Sequence, residues 1–240
     1  MHEISFISLS EKAILLSFGN SIDFNTHEQV MHAKQTIEKH PFPGFIETVP
    51  AYNSLAVFYR PEKINRTKSS IAESVKDQLR QILATAGKQN EELFYQTKHI
   101  IPVCYDEEFG IDLEELSEQL HLPKEEIIRL HTSVPYKVFM TGFTPGFAYM
   151  GILDQQLFTK RKATPRLNIA EGSVAIAGNQ TGIYPMSTPG GWNIIGRTAL
   201  KIFNKEIKNP FLLKAGDEVQ FVAITKEEFH SLAPVSNHEQ

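Results

Sequence analysis

One cysteine, Cys104, stands in 240 residues, so the chain can form no internal disulfide. No apolar run approaches the roughly 18 residues that cross a bilayer. The N-terminal segment MHEISFISLSEKAILLSFG also lacks the basic start, long apolar stretch and small-residue cleavage site of a secretory signal. A soluble, cytoplasmic protein is expected. Positive charge is not in excess: 24 Lys and Arg against 28 Asp and Glu leave a formal net charge of −4, without the basic footprint of a nucleic-acid binder. Familiar catalytic signatures are missing as well. There is no GxxxxGK(S/T) phosphate loop, no GxSxG nucleophile elbow, and no lysine in the setting expected for biotin attachment. The nine histidines are scattered, with no HExxH or HxH spacing to suggest zinc. His27 and His32 fall five apart on one predicted helix and so face different ways.

What is present is an ordinary globular balance, 41% apolar and 22% charged. Ala13 to Phe18 is a short apolar run closed by Gly19 and Asn20, which reads as a buried strand. A helix follows, with Asn25 and Glu28, or Thr26 and Gln29, as a capping pair. Val30, Ala33 and Ile37 share its apolar face, and it must stop before Pro41 and Pro43. Ser54 to Tyr59 is another strand. Ser70 to Ala86 is an amphipathic helix, with Gly87 placed for a C-terminal cap. The order β-α-β-β-α suggests a small α+β domain of ferredoxin-like type over residues 1–92, with a polar linker at 88–92 and the boundary near Asn90 to Tyr95.

Beyond it the texture changes. Lys98 to Tyr105 reads as a strand in which Cys104 is a small buried filler rather than a nucleophile. Asp112, with Glu115 reciprocating, is placed to cap a helix, and Pro123 suits the first turn of the next. After Ser133 short β-prone runs alternate with glycine and proline: YKVFMTGF, SVAIAG, WNIIGRTALKIF, DEVQFVAI. This pattern predicts a mostly-β barrel over 93–240, with functional loops between Gly142 and Gly196.

Three stretches hold the candidate site. In GFTPGFAYMG, Gly142, Pro145 and Gly146 restrict the backbone that carries Phe143, Phe147 and Tyr149, aromatics that either cover a core or wall a pocket. In GSVAIAGNQTGIYPMSTPGGW, the run Ser187 to Gly191, with Gly190 and Gly191, is either a hairpin turn or an anion-binding nest of backbone N–H groups. Gln180, Thr181 and Tyr184 there can orient a small polar ligand or bond at the surface. Arg161, Arg166 and Arg197 suit bidentate contact with a carboxylate or phosphate, or surface ion pairs. Trp192, the single tryptophan, can stack on a ligand, anchor a partner or fill a core.

These stretches, with the RxxxPR spacing of Arg161 to Arg166, PFPGFIETVPAYNSLAVFY from Pro41 and HTSVPYKVFM from His131, resemble the family of the 5-oxoprolinase B subunit (PxpB), also called allophanate hydrolase subunit 1 or the KipI family. The resemblance runs over nearly the whole chain. It implies a cyclophilin-like barrel in the second domain. It also implies partners, a larger C subunit and an A subunit, which complete an ATP-dependent 5-oxoprolinase. ATP and Mg2+ are then used at the level of the complex, with no cofactor evident in this chain. His131, the histidine inside family-like sequence, is a candidate either for the ligand or for the core. The implied reaction opens 5-oxo-L-proline to L-glutamate. With no nucleophile and base pair in this chain, a composite site at a subunit interface is expected. The same resemblance admits a regulator that inhibits a sensor histidine kinase. A prolyl isomerase, suggested by the barrel alone, and a serine-type allophanate hydrolase are the weaker readings.

Overall fold

The computed structural model describes residues 4–86 and 97–232. The chain divides into two compact units, Met1–Tyr95 and Gln96–Gln240. The expected boundary at 92/93, the linker and the Gly87 cap fall at residues outside those described.

The first unit is a four-stranded antiparallel sheet with two helices. Its elements are β1 (Ser5–Ser10), β2 (Ala13–Ser17), α1 (Phe24–Lys39), β3 (Phe45–Pro50), β4 (Ser54–Tyr59) and α2 (Ile71–Ala86). The strand order is β1-β2-β4-β3. β4 lies between β2 and β3 and is antiparallel to both, so β2-α1-β3 is a split β-α-β unit. The departure from the expected ferredoxin-like path is the fourth strand, which is the N-terminal β1 and not a strand following α2. β1 escaped the sequence pattern because it is an edge strand with little burial: Ile7 and Leu9 are 48% and 53% exposed. Alternate residues of the inner strands turn one way, and Ile14, Leu16, Leu55 and Val57 pack with Val30 and Ile37 of α1 and Val75 and Leu79 of α2. Each such side chain contributes about 1.5–3 kcal/mol by leaving water. The cap of α1 is Asp23, not Asn25 or Thr26. Its carboxylate accepts from Thr26 N at 2.8 Å and from Thr26 Oγ1 at 2.9 Å. A carboxylate here also meets the positive end of the helix dipole, which an amide or hydroxyl does not exploit.

The second unit holds β5 (Lys98–Cys104), α3 (Leu113–Leu120), α4 (Lys124–Thr132), β6 (Tyr136–Thr141), β7 (Ala148–Gly151), β8 (Arg166–Ile169), β9 (Ser173–Ala177), β10 (Gln180–Ile183), β11 (Thr188–Gly190), β12 (Asn193–Arg197), β13 (Glu218–Ile224) and α5 (Lys226–Leu232). Seven strands close a barrel in the order β10-β7-β6-β13-β5-β12-β9, and β8 with β11 forms a separate ribbon. A closed barrel of this kind fits the cyclophilin-like expectation. β9 and β10 form the hairpin that closes it, turning at Gly178 with φ +60°, a conformation that glycine adopts without strain. Ile101, Val103, Val138, Met150, Val174, Ile176, Val219 and Phe221 fill the interior. Cys104 is buried, and burial raises its thiol above the ordinary value. Among the described residues no helix is long and apolar enough to cross a membrane.

Candidate functional site

Strand alternation builds the site on the outside of the barrel wall. On β9, Val174 and Ile176 belong to the interior core, whereas Ala175 and Ala177 join a second cluster with Phe147, Ile169, Tyr184, Trp192 and Ile194. Two alanines on that face leave room for large rings. Gly182 on β10 does the same: a Cβ there would lie 2.9 Å from Phe147 Cζ and 3.2 Å from Trp192 Cζ3. Phe147 is the hub. Its ring centroid lies 4.8 Å from Tyr149, 5.2 Å from Tyr184, 5.5 Å from Trp192 and 5.7 Å from Phe143, each pair edge-to-face. Edge-to-face contact sets the positive rim of one ring against the negative face of another.

A cavity of about 500 Å³ opens over these rings. Its walls are Phe143, Phe147, Tyr149, Tyr184 and Trp192, and Thr188 to Gly191 with Pro165 bound one side. Phe143 is 63% exposed and has φ +70°, so a strained backbone holds an aromatic ring out at the rim. Arg161 and Lys162 bring positive charge to the lining. The Arg161 guanidinium lies 5.9 Å from the Trp192 ring centroid. Thr144 also lines the cavity, and its Oγ1 is buried without a hydrogen-bond partner. A buried hydroxyl left unpaired costs about 1–3 kcal/mol, so it is a place where a ligand group repays its own desolvation.

Behind the cavity sits an ion-pair network that sequence reasoning missed. Asp112 occupies the N-cap position of α3 but makes no capping bond with its side chain. Its carboxylate is 1% exposed and accepts from Arg166 Nη1 at 2.9 Å, Arg166 Nη2 at 2.6 Å and Ile194 N at 2.7 Å. Lys162 Nζ stands 2.9 Å away and also pairs with Glu115. Burial by itself pushes the Asp112 carboxyl up, but the Arg166, Ile194 and Lys162 donors outweigh it and hold it below its ordinary value. For Lys162, burial opposes the charge, and Glu115 and Asp112 overcome this and raise it above its ordinary value. Lys162 is therefore a fixed cation at the cavity wall.

Of the fourteen candidates, the structure brings seven to the cavity: Phe143, Phe147, Arg161, Tyr184, Gly190, Gly191 and Trp192. The aromatics do both things asked of them, because the rings that pack on the wall also face the opening. The others go elsewhere. Arg166 is committed to Asp112. Arg197 Nε donates to Glu171 O at 2.8 Å, beside a different hollow. Ser187 Oγ donates to Asn168 Oδ1 at 2.5 Å. Pro145 is an exposed loop residue, and Gln180 is half-buried on β10. The expected nest does not form over Thr188 to Gly190, because this segment is strand β11 paired with β8 and its middle residue, Pro189, has no N–H to offer.

His131 and Thr181 lie in the barrel interior. His131 Nδ1 and Tyr105 Oη are 2.8 Å apart, as are His131 Nε2 and Thr181 Oγ1. Thr181 Oγ1 in turn donates to Ala175 O at 3.2 Å. The ring stacks between Tyr136 and Phe221. Burial lowers its pKa from 6.5 to about 3, so it is a neutral core residue and does not face a ligand.

The cavity therefore offers flat apolar walls, two cations and an unpaired hydroxyl, and its titratable side chains are tyrosines, an arginine and a lysine. Burial raises the Tyr184 phenol, against the Trp192 backbone N–H and the Arg161 charge, so it stays protonated at neutral pH. Such a site can bind and orient a small ring bearing a carboxylate. It holds no carboxylate or imidazole to move a proton.

The cavity and most of the barrel lie within a match to a carboxyltransferase-type module. The family described as carboxyltransferase domain, subdomain C and D, matches residues 4–213, and the chain belongs to that family. Within it, the chain is 43% identical over 235 residues to the B subunit of 5-oxoprolinase from Bacillus subtilis (strain 168), covering 95% of this chain and 96% of that one. It is 35% identical over 215 residues to the B subunit of 5-oxoprolinase from Escherichia coli O157:H7, covering 89% and 93%. The crystal structure of TTHA0988 is similar with a TM-score of 0.75 and 32% identity, over 89% of this chain and 40% of that one. This chain thus spans about two fifths of the TTHA0988 chain.

Proposed function

We propose that this chain is the B subunit of an ATP-dependent 5-oxoprolinase, and that its cavity holds the ring of 5-oxo-L-proline against a partner subunit. The observation that carries the reading is the cavity itself, found in a chain with near full-length similarity to proteins named as B subunits of 5-oxoprolinase. Its aromatic walls suit the methylene faces of a five-membered ring. Arg161 and Lys162 suit the carboxylate, and the Thr144 hydroxyl suits the lactam.

A lactam carbonyl is protected by amide resonance, and ATP can activate it by phosphorylating the amide oxygen. ATP is then used at the level of the complex, together with the larger C subunit and the A subunit. This chain's share is to bind the ring, fix its orientation and exclude water from one side. The chain matches only part of TTHA0988, which accords with a further module supplied by another polypeptide of the complex.

The test is glutamate release from 5-oxoproline and ATP by the complete set of subunits, repeated with this chain omitted. Loss of activity on omission is expected. Undiminished activity without it sinks the assignment. So does silence from a complete, folded set, which would turn attention to inhibition of a histidine kinase.

A further inference from the structure

We propose that the first unit carries a second ligand site, for a free α-amino acid, where the end of β4 meets the start of α2. This proposal does not rest on the function proposed above. A cavity of about 490 Å³ lies there, lined by Glu11, Tyr59 and Pro61 on one side and by Arg66 and Ser69 to Ala72 on the other.

The first observation is Tyr59. Its side chain is fully buried, yet its hydroxyl has no hydrogen-bond partner. Buried polar groups are nearly always paired, so this hydroxyl marks where a ligand atom completes the structure. Burial raises its pKa, and the charge of Glu11 adds to that, which places the Glu11 carboxylate within electrostatic reach of the phenol.

The second observation is the helix end. α2 runs 16 residues from Ile71. Ser74 N donates to Ser70 O and Glu73 N donates to Ser70 Oγ, which leaves the N–H groups of Ile71 and Ala72 without an intrahelical acceptor. Those groups face anions well, because the helix dipole adds positive potential. The loop before the helix is already fixed in place. Thr67 N and Lys68 N both donate to Ser74 Oγ at 3.0 Å, and Arg66 donates to Lys68 O and Ser69 O. Arg66 is thus held at the cavity as a standing positive charge.

The two signs of charge decide the ligand class. A simple anion meets Arg66 and the helix end but is opposed by Glu11. A simple cation meets Glu11 but is opposed by the other two. A zwitterion answers both: its carboxylate toward Ile71, Ala72 and Arg66, its ammonium toward Glu11 with the Tyr59 hydroxyl as acceptor. Pro61, Ile71 and Ala72 offer apolar surface to an aliphatic side chain.

The experiment is titration of the full chain with L-leucine, with isocaproate (no ammonium) and with isoamylamine (no carboxylate), followed by calorimetry and by amide chemical shifts. Leucine is expected to bind and to shift the amides of residues 66–72, and the two half-ligands to bind about tenfold or more weakly. Tyr59→Phe should weaken leucine binding while leaving the melting temperature unchanged or higher, since it removes an unpaired buried hydroxyl. Glu11→Gln changes an exposed side chain, so it keeps the fold and should weaken leucine binding too. Isocaproate binding as tightly as leucine, with Glu11→Gln tightening both, would overturn the amino-acid assignment. So would the absence of any shift at residues 66–72 at millimolar leucine.

Discussion

Arg166 is the residue whose role the structure changes most, and Arg166→Ala is its sharpest test. As a cavity arginine, its loss would reduce activity and leave the fold alone. As the partner of a buried carboxylate, its loss must cost stability. Removing one partner of a buried pair costs about 3–5 kcal/mol when the remaining charge is left alone. Here Asp112 keeps Ile194 N and Lys162 Nζ, and the Arg166 side chain is 31% exposed, so the loss is smaller. About 1.5–3 kcal/mol is expected, the range for hydrogen bonds to charged groups. That lowers the urea midpoint without changing the slope, and the melting temperature by about 5–10 °C. The pH dependence gives an independent reading. Asp112 has a folded value below its ordinary 3.8, so its contribution is complete above the unfolded value and is lost as pH falls through the folded one. Without Arg166 the depression shrinks, because burial still opposes the charge while only the Ile194 and Lys162 donors remain. The stability lost as pH falls below 3.8 should therefore differ between variant and wild type, with the wild type keeping its advantage at neutral pH and losing it in acid. An Arg166→Ala protein with the wild-type midpoint, the wild-type acid limb and impaired substrate binding would refute this reasoning and return Arg166 to the ligand.

Arg161→Ala should raise KM for 5-oxoproline in the reconstituted complex by about tenfold or more, with little change in the urea midpoint, because the side chain contacts the Trp192 ring and the cavity rather than the core. Gly190→Ala should destabilise the second unit by about 1–3 kcal/mol in urea unfolding, since a Cβ there would overlap the Tyr184 hydroxyl and lie 2.7 Å from Ile169 Cδ1. His131 should remain neutral well into acid. Its folded value of about 3 lies below the unfolded 6.5, so the unfolded chain takes up a proton first, and stability should fall as pH drops from 6.5 toward 3. An imidazole nitrogen signal of His131 that titrates near pH 6.5 in the folded protein would contradict its burial.

The barrel was legible because its signals are local: β-prone runs broken by glycine and proline, and strand lengths that fit one wall. The aromatic loop was legible for the same reason. Phe147 and Trp192 stand near the turns that position them, and the choice between core and pocket dissolves once one ring packs on Ala175 and Ala177 and still faces the opening. What the sequence hid is long-range. Asp112 matched a local capping template, but its carboxylate is taken by Arg166, 54 positions away, and by Ile194 N, 82 positions away. A helix start forgoes its side-chain cap because two charge-assisted bonds to a guanidinium are worth more than one bond to a backbone amide. Lys162 was passed over for a related reason: in RKATPR it is one more basic residue, and only the fold sets it between Asp112, Glu115 and the cavity. The same network explains why the site needs a whole barrel behind it. Asp112 ties α3, the strand β8 through Arg166, the segment at Lys162 and the strand β12 through Ile194 N to one carboxylate. The Lys162 cation at the cavity is thereby held by the barrel rather than by the loop that carries it, and a cation fixed before the ligand arrives loses no side-chain entropy on binding.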